Sequence, residues 1–139
     1  VKLLRPRMAS GHLQGRMLKM FVQMIRPRQV LEIGTYSGYS ALCLAEGLEE
    51  GAMLHTFEIN DEQEDFTRPW LEGSSYAGKI KFYIGDALKL LPGMNITFDL
   101  AFVDGDKRNS DCFRWEVVTP VAILWWMPIR SVSMHGILL

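Results

Sequence analysis

The ten residues Leu31-Glu32-Ile33-Gly34-Thr35-Tyr36-Ser37-Gly38-Tyr39-Ser40 decide the fold class of this chain. The apolar run that ends at Ile33 leads into two glycines, and residues with helical spacing follow them. This order predicts a buried strand, a tight turn and a helix. Gly34 lets a ligand approach the backbone, and Gly38 permits a sharp entry into the helix. A purely structural turn would explain the two glycines equally well.

The rest of the chain continues this alternation of helices and strands. Helical spacing of apolar residues predicts helices at about 10–25, 37–48, from 60 or 61 onward with Pro69 shortening or kinking the helix, and around 88–91. Apolar runs predict strands over residues 29–33, 52–59, 79–84 and 97–103. Such alternation requires parallel strands joined by helical crossovers. We therefore predict an α/β fold with a Rossmann-like parallel sheet, in one domain spanning residues 1–139.

Glu58 lies at the end of the second predicted strand, 24 residues after Gly34. Ligands of parallel α/β sheets bind beyond the carboxyl ends of the strands, where a carboxylate can accept hydrogen bonds from both hydroxyls of a ribose. The glycine turn lacks the G-x-G-x-x-G pattern that shelters a pyrophosphate. The glycine turn and Glu58 together therefore favour a nucleoside ligand without a diphosphate, such as S-adenosylmethionine, over NAD or FAD.

Aspartates follow the third and fourth predicted strands. Asp86 can hydrogen-bond the exocyclic amine of adenine or cap the next helix, and the two roles are compatible. The fourth strand is followed by Asp104-Gly105-Asp106-Lys107. Carboxylate oxygens at the open end of a strand suit a hard divalent cation such as Mg²⁺. Asp-Gly-Asp also forms ordinary turns, so this motif alone is only suggestive.

In combination, these four sites resemble the cation-dependent O-methyltransferase family, which includes caffeoyl-CoA O-methyltransferases, catechol O-methyltransferase-like enzymes and bacterial tRNA hydroxyuridine methyltransferases. The resemblance covers roughly Leu4 to Asn109. Its motifs are Met8 to Gly15, Leu31 to Ser40, Phe57-Glu58, Gly85 to Ala87, and Val103 to Asn109.

The resemblance implies a class I methyltransferase core, S-adenosylmethionine as cofactor, Mg²⁺ or another divalent cation, and methyl transfer to a hydroxyl of a small catechol-like or hydroxycinnamoyl-type acceptor. It implies that the cofactor pocket is lined by Met8, Gly34, Ser40, Glu58, Asp86, Ala87 and Asp104. It also implies that Asp104 is the first metal ligand, and that Lys107 helps to deprotonate the acceptor.

Simpler interpretations of three of these residues stay open. Met8 could be a core residue, Ser40 a hydroxyl on a helix surface, and Lys107 a solvated charge. The three histidines show no metal-ligand spacing and are assigned no role.

After Asn109 the sequence departs from the family pattern. A Gly-Gly turn, an Asp-Asn pair and later strands are not recognisable, and three of the four tryptophans fall in this tail. We expect a frameshift, a truncated gene model or genuine divergence, and a tail that does not complete the sheet and leaves the fourth strand open. Because the Asp-Asn pair supplies the other protein ligands in the family, we expect weak cation binding. The first residue is Val1 rather than Met, which suggests a longer reading frame.

Composition limits the class of partner. A net charge of −1 gives no overall attraction to nucleic acid or anionic membranes, although residues 1–28 contain seven cationic and no acidic residues. Those cations could receive a phosphate-bearing substrate or form a solvated helix face. Two widely spaced cysteines and the absence of a secretory signal predict a cytoplasmic protein. The apolar stretch 117–128 is too short to span a membrane.

Two alternatives to a small-molecule methyltransferase stay open. A tRNA hydroxyuridine methyltransferase is supported only by the basic N-terminal segment. A truncated, inactive remnant would bind the cofactor without turnover. For the intact family fold we expect a homodimer.

Overall fold

Parallel strands form where the apolar runs of the sequence predict them. The computed structural model describes residues 11–103 and the backbone of two short strands, 122–125 and 137–138. In chain order the elements are α1 His12–Ile25, β1 Gln29–Ile33, α2 Tyr39–Gly47, β2 Met53–Glu58, α3 Glu64–Glu72, β3 Ile80–Ile84, α4 Ala87–Leu90, β4 Leu100–Val103, β5 Ala122–Trp125 and β6 Ile137–Leu138.

The strands form one sheet in the order β3-β2-β1-β4-β5-β6. Pairing is parallel from β3 through β5, and β6 is antiparallel to β5. The chain begins the sheet in the middle, moves outward to β3, and then crosses back to β4. This reversal of direction beside β1 is where an open α/β sheet binds its ligands. The structure confirms the predicted α/β fold with its parallel sheet and helical crossovers.

The tail after Asn109 contributes strands to the sheet, and the expectation that it leaves the fourth strand open is wrong. β5 pairs with β4 in a parallel register that sets Leu124 opposite Phe102, so β4 is not an open edge. The physical reason is the uninterrupted apolar run of residues 121–125, which is typical of a strand buried in a parallel sheet even where no family motif accompanies it. The remainder of the tail lies outside the described residues.

The two faces of the sheet carry separate hydrophobic cores. On one face α1, α2 and α3 cover alternate strand residues, and fully buried members of this core include Val22, Val30, Leu44, Leu54 and Leu100. The opposite core comprises Leu31, Phe57, Ala87, Leu91, Phe98 and Ala101. Because both faces are covered, consecutive residues of β1, β2 and β4 are buried, rather than every second one.

Element ends follow from local chemistry. Arg26 ends α1 in the left-handed conformation (φ 54°), directly before Pro27. α3 continues through Pro69 and ends at Glu72, so the proline does not end the helix. β4 begins at Leu100 rather than Thr97, because Phe98 turns into the second core and Asp99 binds the start of β1. Within the described residues, no helix has the length and apolar character needed to cross a membrane.

Candidate functional site

The carboxyl ends of β1, β2 and β3 meet at one edge of the sheet, as the sequence predicts. Backbone hydrogen bonds extend the pairing beyond the strands: Gly34 donates to the Phe57 carbonyl at 2.9 Å, and Gly85 donates to the Glu58 carbonyl at 2.8 Å. The glycine turn, Glu58 and the Gly85-Asp86 turn therefore lie side by side. Gly34, Glu58 and Asp86, which the resemblance assigns to one pocket, are brought to the same edge.

The turn after β1 has an unusual backbone conformation. Gly34 (φ 98°) and Gly38 (φ 85°) both adopt positive φ, and the non-glycine residue Tyr36 does so as well (φ 49°). A side chain at position 38 would meet Leu71 at 3.1 Å and Thr67 at 3.3 Å, so this glycine satisfies both a conformational and a packing requirement. Backbone conformation and packing thus explain why position 38 is a glycine, independently of any role in binding.

The Glu58 carboxylate is buried, with 7% of the residue exposed, and both of its oxygens are engaged. Oε2 accepts a 2.7 Å hydrogen bond from the backbone N–H of Tyr36, and Oε1 accepts one of 3.0 Å from that of Asn60. A carboxylate has about four lone-pair sites, so each oxygen keeps the capacity to accept from a further donor such as a hydroxyl. Glu58 therefore joins two turns and can still bind a ligand.

Asp86 has the N-cap role that the sequence predicts. Its Oδ1 accepts a 3.0 Å hydrogen bond from the backbone N–H of Leu88 at the start of α4. The neighbouring Ala87 is buried in the second core, and Ser40 is buried in the first turn of α2 with 5% exposed. Ser40 is thus not a hydroxyl on a helix surface. Contact of any of these residues with a cofactor stays a prediction.

Met8, Asp104 and Lys107 lie outside the described residues, so their predicted roles are neither supported nor contradicted. Asp104 directly follows Val103, the last residue of β4. In the described part of the chain, no group of three or more histidine, cysteine, aspartate or glutamate side chains could hold a metal ion. The described residues alone therefore do not supply a metal centre.

Sequence reasoning missed a buried polar chain beneath the glycine turn. Thr56 donates a 2.6 Å hydrogen bond to Oε1 of Glu32, and the hydroxyls of Thr35 and Thr56 lie 2.6 Å apart. With the Thr56 proton directed to Glu32, Thr35 is the donor to Thr56. All three residues are buried to 2% exposure or less. The available signal was a carboxylate and a hydroxyl, Glu32 and Thr56, at strand positions that the apolar pattern marks as internal, with the hydroxyl of Thr35 in the turn just after β1.

His55 was left without a role, and the structure places it in a buried network on β2. Its Nε2 lies 2.9 Å from Oε1 of Gln29, and its Nδ1 lies 3.1 Å from the hydroxyl of Tyr83. Burial, with a smaller contribution from Lys81, lowers the pKa of His55. Burial likewise raises the pKa of the Tyr83 hydroxyl. The network lies within the sheet rather than at its carboxyl edge, which points to a structural role.

Cys43 is not a candidate nucleophile. It is buried in α2, where burial raises the pKa of its thiol, so the reactive thiolate is disfavoured.

The sequence of this chain is similar to those of known O-methyltransferases. The sequence model of the family described as O-methyltransferase matches residues 1–122. Catechol O-methyltransferase of Mycobacterium tuberculosis is 33% identical, over 81% of this chain and 52% of its own length. Caffeoyl-CoA O-methyltransferase 1 of Zea mays is 35% identical, over 69% of this chain and 40% of its own.

A solved O-methyltransferase structure is also similar to this chain in its three-dimensional fold. The crystal structure of the O-methyltransferase from Bacillus cereus in complex with SAH superposes with a TM-score of 0.79 at 31% identity. The match covers 86% of this chain and 58% of that one. The chain thus spans about half the length of the relatives that it matches.

Proposed function

The chain belongs to the O-methyltransferase family, and we propose that it binds S-adenosylmethionine at the carboxyl edge of its sheet and transfers the methyl group to an acceptor hydroxyl. The observation that carries this proposal is the buried Glu58 carboxylate, fixed beside the glycine turn with lone pairs to spare. The Bacillus cereus relative was solved with SAH, which is the demethylated product of the same cofactor.

We propose that different residues at this edge contact different parts of the cofactor. Glu58 accepts hydrogen bonds from the ribose hydroxyls, and Asp86 accepts one from the adenine amine while it caps α4. Gly34 allows close approach of the ligand to the backbone, and Ser40 and Ala87 complete the wall. Met8 and Asp104 are assigned to the same pocket by resemblance alone.

The reaction requires one proton transfer from the acceptor. Bound S-adenosylmethionine supplies an electrophilic methyl group on a positively charged sulfur. As the acceptor oxygen forms its bond to the methyl carbon, the carbon–sulfur bond breaks and the hydroxyl proton must leave. We propose that Lys107 accepts this proton in its neutral form. The names of the relatives, catechol and caffeoyl-CoA O-methyltransferase, favour a small phenolic acceptor over tRNA.

A divalent cation is part of the proposal, with weak binding. Asp104 is the single ligand that the sequence assigns, and the described residues contribute no cluster to complete a cage of oxygen ligands. The proposed proton transfer to Lys107 therefore does not involve the metal. Because a firmly held cation would lower the pKa of an acceptor hydroxyl, its weak binding leads us to expect slow turnover by this chain.

Titration calorimetry with S-adenosylhomocysteine, with and without Mg²⁺, tests cofactor binding. We expect saturable binding that Mg²⁺ strengthens only slightly. A radiolabelled methyl-transfer assay on catechols, hydroxycinnamoyl thioesters and unmodified tRNA tests turnover, beside a chimera in which a relative supplies the residues after Asn109. Binding without any turnover would identify an inactive remnant, and labelling of tRNA alone would replace the phenolic acceptor. No saturable cofactor binding would overturn the proposal.

Two further expectations concern the protein as a whole. We propose a cytoplasmic location, because two widely spaced cysteines fit a reducing compartment. We also propose a homodimer, which analytical ultracentrifugation would detect as a doubled mass.

A further inference from the structure

Thr67 lies on α3, away from the strand ends, yet its side chain contacts the glycine turn at two points. Its hydroxyl donates a hydrogen bond to the backbone carbonyl of Tyr36. Its methyl group lies 3.3 Å from the position that a Cβ at Gly38 would occupy. The residue is completely buried, so both contacts are made inside the protein.

These contacts act on a strained part of the turn. Tyr36 has φ 49°, a left-handed conformation that residues other than glycine adopt at an energetic cost. Its two peptide groups are held by side chains from different elements: Glu58 accepts from its N–H at 2.7 Å, and Thr67 donates to its carbonyl. The bond to Glu58 restrains Tyr36 at its N–H and the bond from Thr67 restrains it at its carbonyl, so the two side chains together hold the backbone of this residue in its left-handed conformation.

We infer that Thr67 is a positioning residue for cofactor binding, which orients the Glu58 carboxylate through the Tyr36 peptide. The inference rests on the proposed function, because it assumes that Glu58 binds the cofactor. Two turns share the Glu58 carboxylate, so a rotation of the Tyr36 peptide shifts Oε2 and changes the lone pairs that face the ligand. A helix residue 31 positions from Tyr36 would in this way set cofactor affinity without touching the cofactor.

A purely structural role for Thr67 can be separated from positioning by a matched control. Ser74, just after α3, also donates its hydroxyl to a backbone carbonyl, that of Leu71 at 2.8 Å. Its bond ends on the Leu71 carbonyl and not on the backbone of the glycine turn. S74A therefore removes a hydroxyl–carbonyl bond that ends on neither Tyr36 nor Glu58, together with the 3.3 Å bond that Ser74 accepts from the backbone N–H of Tyr76.

The test compares T67V, T67S and S74A in the full chain by three measurements: the dissociation constant of S-adenosylhomocysteine, the thermal midpoint, and amide hydrogen exchange of Tyr36 without ligand. We expect T67V to weaken binding roughly tenfold and to accelerate exchange at Tyr36, because it keeps the shape of threonine and loses one hydrogen bond. T67S should restore both to near the wild-type values. S74A should lower the thermal midpoint and leave both unchanged.

Wild-type affinity and exchange in T67V would overturn the inference, as would an equal loss of affinity in S74A. If T67V does not fold, T67S and T67A provide the same comparison, since both lack the methyl group and differ only in the hydroxyl. If the wild-type chain binds no S-adenosylhomocysteine, the proposed function fails, and exchange at Tyr36 still decides whether Thr67 holds the turn.

Discussion

The Oε2 atom of Glu58 accepts a hydrogen bond of 2.7 Å from the backbone N–H of Tyr36, so the end of β2 is fixed to the turn that follows β1. The two residues are 22 positions apart in the sequence, and the bond forms only because β1 and β2 are parallel neighbours. One carboxylate thereby stabilises the turn and faces the edge where the cofactor is proposed to bind. Changes at Glu58 should affect both properties.

Replacement of Glu58 should weaken cofactor binding, because its carboxylate is proposed to accept hydrogen bonds from the ribose hydroxyls. We expect E58A to cost about 1.5 to 3 kcal/mol of binding free energy, the range for hydrogen bonds to a charged group. E58Q should also weaken binding, because its amide group cannot accept at both positions. Calorimetry with S-adenosylhomocysteine measures the loss. E62A, which removes an exposed carboxylate four residues away, is the control and should bind normally. Equal affinities for E58A and wild type would remove Glu58 from the site.

A side chain added at Gly38 should destabilise the glycine turn and, with it, the folded protein. The added Cβ of G38A would require a left-handed residue at φ 85° and would press on Leu71 at 3.1 Å. We expect a loss of about 1 to 3 kcal/mol in the free energy of unfolding, together with weaker cofactor binding. G78A is the matched control, because no atom lies within 4 Å of its added Cβ. Urea unfolding of both variants checks the prediction, and an equal effect at the two positions would contradict it.

The parts of the fold that were predictable are those encoded by local pattern. The run at 29–33 gave the bounds of β1 correctly, because a buried parallel strand is a continuous apolar stretch between turn signals. The same rule applied to 121–125 would have predicted β5, but the missing family motifs led us to expect an open fourth strand. For residues 121–125, the apolar pattern was a better indicator of structure than the absence of family motifs.

The predictable parts of the site are those with a fixed position relative to a strand. Glu58 and Asp86 follow strands directly, so their placement at one edge followed from parallel topology. Thr67 could not be found in this way, since its contact with Tyr36 depends on how α3 packs over the turn. The network around His55 likewise requires the register of three strands, which sequence spacing does not define.

Asp99 should matter for stability and not for cofactor binding. Its Oδ2 accepts hydrogen bonds from the backbone N–H groups of Arg28 at 2.8 Å and Gln29 at 3.1 Å, at the amino ends of the strands. We expect D99A to lower the free energy of unfolding by about 1 to 3 kcal/mol, with an unchanged cofactor dissociation constant. E50A removes an exposed carboxylate near the same edge, and its 4.0 Å ion pair with Lys79 should contribute little. A large loss of cofactor affinity in D99A would show that the two edges are coupled.

The hydrogen bonds of His55 define the tautomer of its neutral ring. Oε1 of Gln29 can only accept, so Nε2 of His55 carries a hydrogen and donates to it. In the neutral ring, Nδ1 then accepts from the hydroxyl of Tyr83. This neutral tautomer satisfies both ring nitrogens inside the sheet, whereas the charged form would bring a positive charge into a buried position beside Lys81.

Acid should therefore destabilise the protein through His55. Its folded-state pKa is below the ordinary value of 6.5, because burial and, to a smaller extent, Lys81 disfavour the charged ring. The unfolded chain then binds more protons than the folded one in this range, so the stabilisation is present above about pH 6.5 and is lost as the pH falls toward the folded pKa. Urea unfolding of wild type and H55Q at pH values between about 5 and 8 measures this loss, and H55Q should show a shallower decline. H12Q, which replaces an exposed histidine on α1, should keep the wild-type slope. Parallel declines for wild type and H55Q would show that His55 does not control the acid sensitivity.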